Sequence, residues 1–303
     1  MNKMDELLSA IGWTEDAKNG AFSLRQNGSC AALNSTENIR IDRLADGQGI
    51  EMHIKEFTKG ESAYIPACVT KNGVQDKVRN DFYIGEGAEV TIIAGCGVHS
   101  DEGGEALHHG VHRFFVGKGA SVTYTEKHIG TGGSSDKRIN TVSEFYLAEG
   151  ATAIVDSEQI GGVDDAQRDT TATLDKDAVF TVRERLLTNG SNTVDTNFVV
   201  ILNGENSKTD VVSRSVARGN SVQRYTSRIE GNTICTGHTE CDAILAENGS
   251  VEAAPGLVAK CADAELIHEA AIGKIAGEQL MKLCSLGLSR EEAEQKIIEG
   301  FLK

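Results

Sequence analysis

Period-two alternation of apolar and polar residues runs through most of the chain, as where Val90 and Ile92 flank Thr91, or Val122 and Tyr124 alternate with Thr123 and Thr125. A strand buried on one face gives this pattern, because successive side chains point to opposite sides. The runs are short, rich in Val, Ile, Thr and Phe, and separated by glycines, which predicts strands joined by tight turns. The ends follow another rhythm. Met4, Leu7, Leu8 and Ile11 have helical spacing, so Met1 to Ile11 is expected to form a short helix opening a mixed cap, residues 1–45. From Ala262 onward Leu266, Ile267, Ala270 and Ala271 are spaced for one helix face, and Ile275, Leu280, Leu283 and Leu286 extend the apolar run. Residues 261–303 therefore predict a C-terminal helical segment. Within it, Gly287 is the expected stop of one helix, and Ser289 with Glu292 forms a capping box for a last helix carrying Ala293, Ile297, Ile298 and Phe301.

Between the ends, over residues 46–260, a turn-like hexad recurs. It reads Gly85-Glu86-Gly87-Ala88-Glu89-Val90, then Gly117-Lys118-Gly119-Ala120-Ser121-Val122, with further copies at Ala148 to Ala153, Asp175 to Phe180 and Glu247 to Glu252. Weaker copies stand at Gly204 to Ser207 and Arg218 to Ser221, so the third positions fall at 87, 119, 150, 177, 206, 220 and 249. Most steps are about thirty residues and one is about half that. Gly, Asn and Asp tolerate the positive φ of a tight corner, and a small residue after them lets stacked corners approach. Such a period in a β-rich chain with 33 glycines and 2 prolines fits a β-helix or another solenoid. A jelly-roll sandwich also has recurrent turns but no shared hexad.

Charge and composition narrow the function. The net charge of −15 argues against nucleic-acid binding, which needs clustered Lys and Arg to displace counterions. The most hydrophobic runs, such as Phe198 to Leu202, are far shorter than the ~20 apolar residues of a membrane helix, and Met1 to Trp13 carries charges, so no membrane partner or export is expected. Seven irregularly spaced cysteines do not resemble a disulfide framework and read as reduced thiols of a cytoplasmic protein.

Two constellations could carry chemistry. The first is Cys235-Thr236-Gly237-His238-Thr239-Glu240-Cys241, followed by Cys261, Glu265, His268 and Glu269. Thiolate, imidazole and carboxylate together suit an iron or iron-sulfur site, although Cys-x2-His-x2-Cys is not the paired C-x2-C of structural zinc or ferredoxin sites, and a lone cysteine is more often core. The second is Cys96-Gly97-Val98-His99 with His108, His109 and His112. His108 and His112 share a face in helix or strand. The acidic, glycine-containing stretch Ser100 to Leu107 is expected to be an exposed loop, with the histidines on a solvated edge. Gly130-Thr131-Gly132-Gly133 lacks the Lys and following helix of a phosphate-binding loop, so no nucleotide site is expected.

The order Glu240-Cys241-Asp242-Ala243-Ile244-Leu245, Pro255, His268-Glu269-Ala270-Ala271-Ile272-Gly273-Lys274-Ile275, Cys284-Ser285-Leu286-Gly287-Leu288, Glu291 to Glu294 and Gly300-Phe301-Leu302 resembles the C-terminal region of the SufB/SufD iron-sulfur scaffolds, most of all short single-scaffold members. It covers roughly the last 65 residues well and the middle more loosely, through Ala67-Cys68 and the histidine block. The resemblance implies a mostly β fold, a right-handed parallel β-helix flanked by helical ends, and a SufC-type ATPase docked on the C-terminal helices. It also implies that His268 and Glu269 fall on the pair near the nascent cluster in larger relatives, and that Cys241 is the cysteine of the Glu-Cys-Asp motif. Gly249-Ser250-Val251 has no thiol where larger relatives have more.

The reading is a non-enzymatic scaffold holding an iron-sulfur cluster on Cys241, His268 and Glu269, with a homodimer as one way to complete the ligand set. The competing function is a β-helix enzyme on polysaccharide. That would need exposed aromatics and paired acids, yet aromatics are 5% of the chain and there is one Trp, Trp13.

Overall fold

The computed structural model describes residues 3–101, 103–133 and 136–303. It is 61% strand, a parallel β-solenoid of about 8 turns with short helices at its ends. Helix α1 (Lys3–Ala10) and a 3-10 turn (Asp16–Asn19) precede β1 (Ala21–Gln26), β2 (Ser29–Asn34) and β3 (Ile39–Arg43). The coils follow as strand pairs: β4 (Gly49–Ile54) and β5 (Lys59–Val69), β6 (Val74–Ile84) and β7 (Glu89–His99), β8 (Ala106–Val116) and β9 (Ser121–Thr131). Next come β10 (Lys137–Leu147) and β11 (Thr152–Ile160), β12 (Asp165–Leu174) and β13 (Val179–Thr188), β14 (Thr193–Leu202) and β15 (Ser207–Ala217). The last pairs are β16 (Val222–Gly231) and β17 (Cys235–Leu245), then β18 (Ser250–Ala259) and β19 (Ala264–Gly273), before α2 (Gly277–Ser285) and α3 (Arg290–Phe301).

Odd and even strands separate into two sheets. One runs β19-β17-β15-β13-β11-β9-β7-β5-β1-β2 and the other β18-β16-β14-β12-β10-β8-β6-β4-β3. Each coil contributes one strand to each sheet, and the inward faces make the core. Parallel in-register stacking places like on like. Phe82, Phe114 and Phe145 of β6, β8 and β10 form an interior ladder with successive centroids 4.7 and 4.3 Å apart, Phe180 packs on Phe145 at 5.1 Å from β13 of the other sheet, and each ring burial contributes about 1.5–3 kcal/mol.

The corners explain the period. Gly87, Gly119, Gly150, Asp177 and Asn206 all have positive φ and all lie between an even strand and the next odd one, along one edge of the solenoid. The half step arises because the next corner turns at the opposite edge, between β15 and β16. There the left-handed residue is Gly219, not Asn220, and between β17 and β18 it is Glu247, not Gly249. Gly249 serves close approach instead: a Cβ there would lie 2.2 Å from the Ala217 carbonyl oxygen.

Helix α1 lies against β5 and β7 through Leu7, Leu8, Ile11 and Cys68. Two residues of the predicted N-terminal helix, Met1 and Asn2, lie outside the described ones. At the other end the expectation of helix from Ala262 is corrected. Ala264–Gly273 is a strand, paired in register with Cys235 to Ile244, and helix begins at Gly277. The period-two reading (Leu266 and His268 inward, Glu265, Ile267 and Glu269 outward) fits this segment as well as the helical one, and the open edge of β17 decides. The capping box of α3 is present as predicted, with the Glu292 backbone N–H donating to Ser289 Oγ at 3.1 Å and the Ser289 N–H donating to Glu292 Oε2 at 2.7 Å.

Candidate functional site

Strand β17 carries the first constellation on two faces. Cys235, Gly237, Thr239 and Cys241 point inward, while His238, Glu240 and Asp242 point outward. In β19 the register pairs Thr239 with His268 and Glu240 with Glu269. Cys241 and His268 therefore share the interior side as diagonal neighbours across the ladder, and Glu269 stands on the outer side beside Glu240. Of the sequence-predicted residues Cys241, His268 and Glu269, the fold brings the first two to one face and puts the third on the other.

The interior pair has donor capacity to spare. Cys241 is 1% exposed, and burial, with the Glu184 carboxylate and Asp242 nearby, pushes its thiol up to about 12. An incoming metal would have to displace that proton, as thiolate ligation does. His268 is half-buried and its Nδ1 has no hydrogen-bond partner among the described residues.

On the outer side His238 Nδ1 is 2.8 Å from Asp210 Oδ1 and Nε2 is 3.6 Å from Glu269 Oε2. The hydrogen bond to Asp210 is the main cause raising the His238 pKa above its usual value. One ligand atom each from His238, Glu240 and Glu269 lies within 4.8 Å of the others.

The second constellation is buried, not on a solvated edge. Cys96, His108 and His112 face inward, His99 is buried from the other face of β7 with Nδ1 2.8 Å from Thr131 Oγ1, and His109 alone of the histidines of β8 points out. The inward residues begin a polar strip along the interior. Arg25 pairs with Asp76 at 2.7 Å, and Asp76 accepts from His108 Nδ1 at 3.0 Å. Cys96 sits between His108 and His128. His128 Nε2 is 3.2 Å from Glu126, Arg168 reaches Glu126 at 3.4 Å and Glu184 at 3.3 Å, and Ser213 donates to Glu184 at 2.6 Å. Glu184, Ser213, Tyr225 and Cys241 line a common small cavity, so the strip ends beside Cys241.

The electrostatics of this strip are paired. Burial would raise the Cys96 thiol, but His108 and His128 outweigh it and bring it down to about 7. Burial would likewise lower both histidines, yet Cys96 and Asp76 lift His108 to about 10, and Glu126 and Cys96 lift His128 to about 9. His112 is driven down to about 4 by burial, which the Glu126 carboxylate opposes only in part while His108, His128 and His109 add to it. Cys96, His108 and His112 line a cavity of about 10 Å³, room for about one water. A Cβ at Gly110 would fall 2.8 Å from His112 Nε2.

Sequence reading missed Asp76, Glu126, His128, Arg168 and Glu184. Their signal is a charge in an inward position of an alternating strand, as with Glu126 and His128 following Val122 and Tyr124. It becomes legible only once the face of each strand is known.

Comparison with known proteins follows the same outline. The pattern described as "SUF system FeS cluster assembly, SufBD core domain" matches residues 69–301. An iron-sulfur cluster assembly SufBD family protein of Archaeoglobus fulgidus is 32% identical over 265 residues, covering 86% of this chain and 70% of the relative. One from Methanocaldococcus jannaschii is 28% identical over 239 residues, covering 77% of this chain and 74% of its own. A chloroplastic SufBD family protein of Arabidopsis thaliana is 25% identical and matched over 41% of its length.

Proposed function

Because the chain belongs to the SufBD family of iron-sulfur cluster assembly proteins, we propose that it is a scaffold that holds a nascent iron-sulfur cluster as cargo, with no turnover chemistry of its own. The observation that carries the reading is the pairing of a buried, protonated Cys241 thiol with the unpartnered Nδ1 of His268 on the last interior rungs. Soft thiolate and borderline imidazole favour iron in a sulfide-rich environment, and so small a ligand set keeps the cluster labile. One chain supplies few soft donors, so a symmetric homodimer completes the set. Two features support it: among the described residues β18 and β19 are the last strands of their sheets, with no strand paired on their outer edges, and Leu257, Ile267 and Ile272 on them are exposed. Free edges and exposed apolar residues are what a second copy would cover.

The working partner in this reading is a SufC-type ATPase bound through the C-terminal helices. Met281 and Leu286 in and after α2 are 67% and 74% exposed, available to a partner, whereas Ile298 and Leu302 are packed on Val216. The setting proposed is the cytoplasm; no described helix is long and apolar enough to cross a membrane. The polysaccharide reading loses ground. The outer aromatics Tyr83, Phe115 and Tyr146 stack on one another at 5.0 and 5.2 Å and His53 stacks on Tyr83 at 4.7 Å, so that of these three only Tyr146 offers a ring face to a sugar. Anaerobic reconstitution of the full chain with iron and sulfide tests the proposal. Visible charge-transfer absorbance is expected in the native chain and lost in Cys241→Ser, and equal absorbance in both would refute the ligand assignment.

A further inference from the structure

The outer face of the last rungs carries a donor set that the soft interior pair does not use. Asp210 of β15, His238 of β17 and the register pair Glu240 and Glu269 converge there, with Asp210, His238 and Glu240 on the wall of a groove of about 410 Å³. Asp210 accepts from His238 Nδ1 at 2.8 Å, so in the neutral ring the proton is fixed on Nδ1 and the Nε2 lone pair is turned toward Glu269, 3.6 Å away. A carboxylate behind a histidine is the arrangement that orients an imidazole for a metal ion. Arg183 in turn holds the other oxygen of Asp210 at 2.6 Å.

Glu240 and Glu269 stand directly opposite one another on neighbouring strands, which for two anions is unfavourable unless a cation lies between them. Among the described residues neither has a Lys or Arg ion-pair partner, although Arg214 and Lys303 line the same groove. We infer that His238, Glu240 and Glu269 form a mononuclear divalent-metal site on the outer face, separate from the Cys241 and His268 pair on the other side of the same strands. One imidazole nitrogen and two carboxylate oxygens suit Fe2+, Mn2+ or Zn2+ and leave positions for water, while the absence of thiolate disfavours soft ions. Exposure makes binding exchangeable: the Glu269 side chain is 69% accessible. The site itself stands on this geometry alone; that its physiological ion is ferrous iron, held before cluster formation, rests on the scaffold reading.

The test is anaerobic titration of the full-length protein with Co2+ and no sulfide, followed by visible d–d absorbance and equilibrium dialysis. The site predicts one Co2+ per protomer without a sulfur-to-metal charge-transfer band, lost in His238→Ala. Asp210→Asn, a change behind the ligand, should weaken binding about 10- to 100-fold. Cys241→Ser should retain the ion even where it loses the cluster, so failure of the cluster reading and failure of this one give different results. If thermal melting shows that His238→Ala is unfolded, Glu240→Gln takes its place. Unchanged stoichiometry and affinity in the folded ligand variant, no Co2+ bound by the native chain, or a thiolate band that vanishes with Cys241→Ser would each overturn the inference.

Discussion

Arg168 shows what the interior demands of single residues. It is 6% exposed and lies between Glu126 and Glu184, with Ser157 as a further acceptor. Breaking a buried pair on one side leaves a charge without compensation, so Glu126→Gln is expected to destabilise by about 3–5 kcal/mol in urea denaturation. His112 gives a pH signature. Its pKa is about 4 in the fold against an ordinary histidine value of 6.5, so between these the unfolded chain binds a proton that the folded chain refuses. Its contribution to stability is lost as pH falls through that window, at up to about 1.4 kcal/mol per pH unit. His112→Asn should flatten the fall in stability between pH 6.5 and 4 measured by denaturation at a series of pH values.

At the scale of elements, corners and stacking divide the work of the glycines. Gly190 has φ +61 and open space where a Cβ would stand, so Gly190→Ala meets only the left-handed penalty of about 1–2 kcal/mol. Gly204 has an ordinary φ, but its Cβ would lie 1.8 Å from the Lys176 backbone nitrogen. Gly204→Ala should therefore cost clearly more than Gly190→Ala in paired thermal melts. The hexad exposed most of this design in the sequence, because a corner has to be small or left-handed whatever strands it joins. It located five corners to the residue and misplaced two, where Gly219 and Glu247 turn at the opposite edge. The segment from Ala264 to Gly273 was less legible, since its apolar spacing satisfies both periods and only the neighbouring edge of β17 selects the strand. That choice also determines the site: as a strand, His268 and Glu269 face opposite sides. Helices α2 and α3 follow as the proposed docking surface. Deleting residues 277–303 should abolish co-purification of a SufC-type ATPase while leaving the near-native β circular dichroism of the solenoid.

The whole molecule is asymmetric along its axis. At one end the antiparallel strands β2 and β3 close the two sheets and α1 covers β5 and β7; at the other, β18 and β19 leave both sheets open. The charged strip from Arg25 to Glu184 runs between these ends inside the solenoid, and Glu184 at its end lines a small cavity with Cys241. Buried charges over such a length are costly to desolvate even when paired, and their end point coincides with the proposed cargo site. In the proposed scaffold the open end holds an iron-sulfur cluster through Cys241. Mössbauer spectroscopy of the full chain, reconstituted anaerobically with 57Fe and sulfide, examines it most directly. The quadrupole doublet of sulfide-bridged iron is expected in the native chain and should be lost in Cys241→Ser; a native spectrum of mononuclear high-spin iron alone would rule cluster binding out.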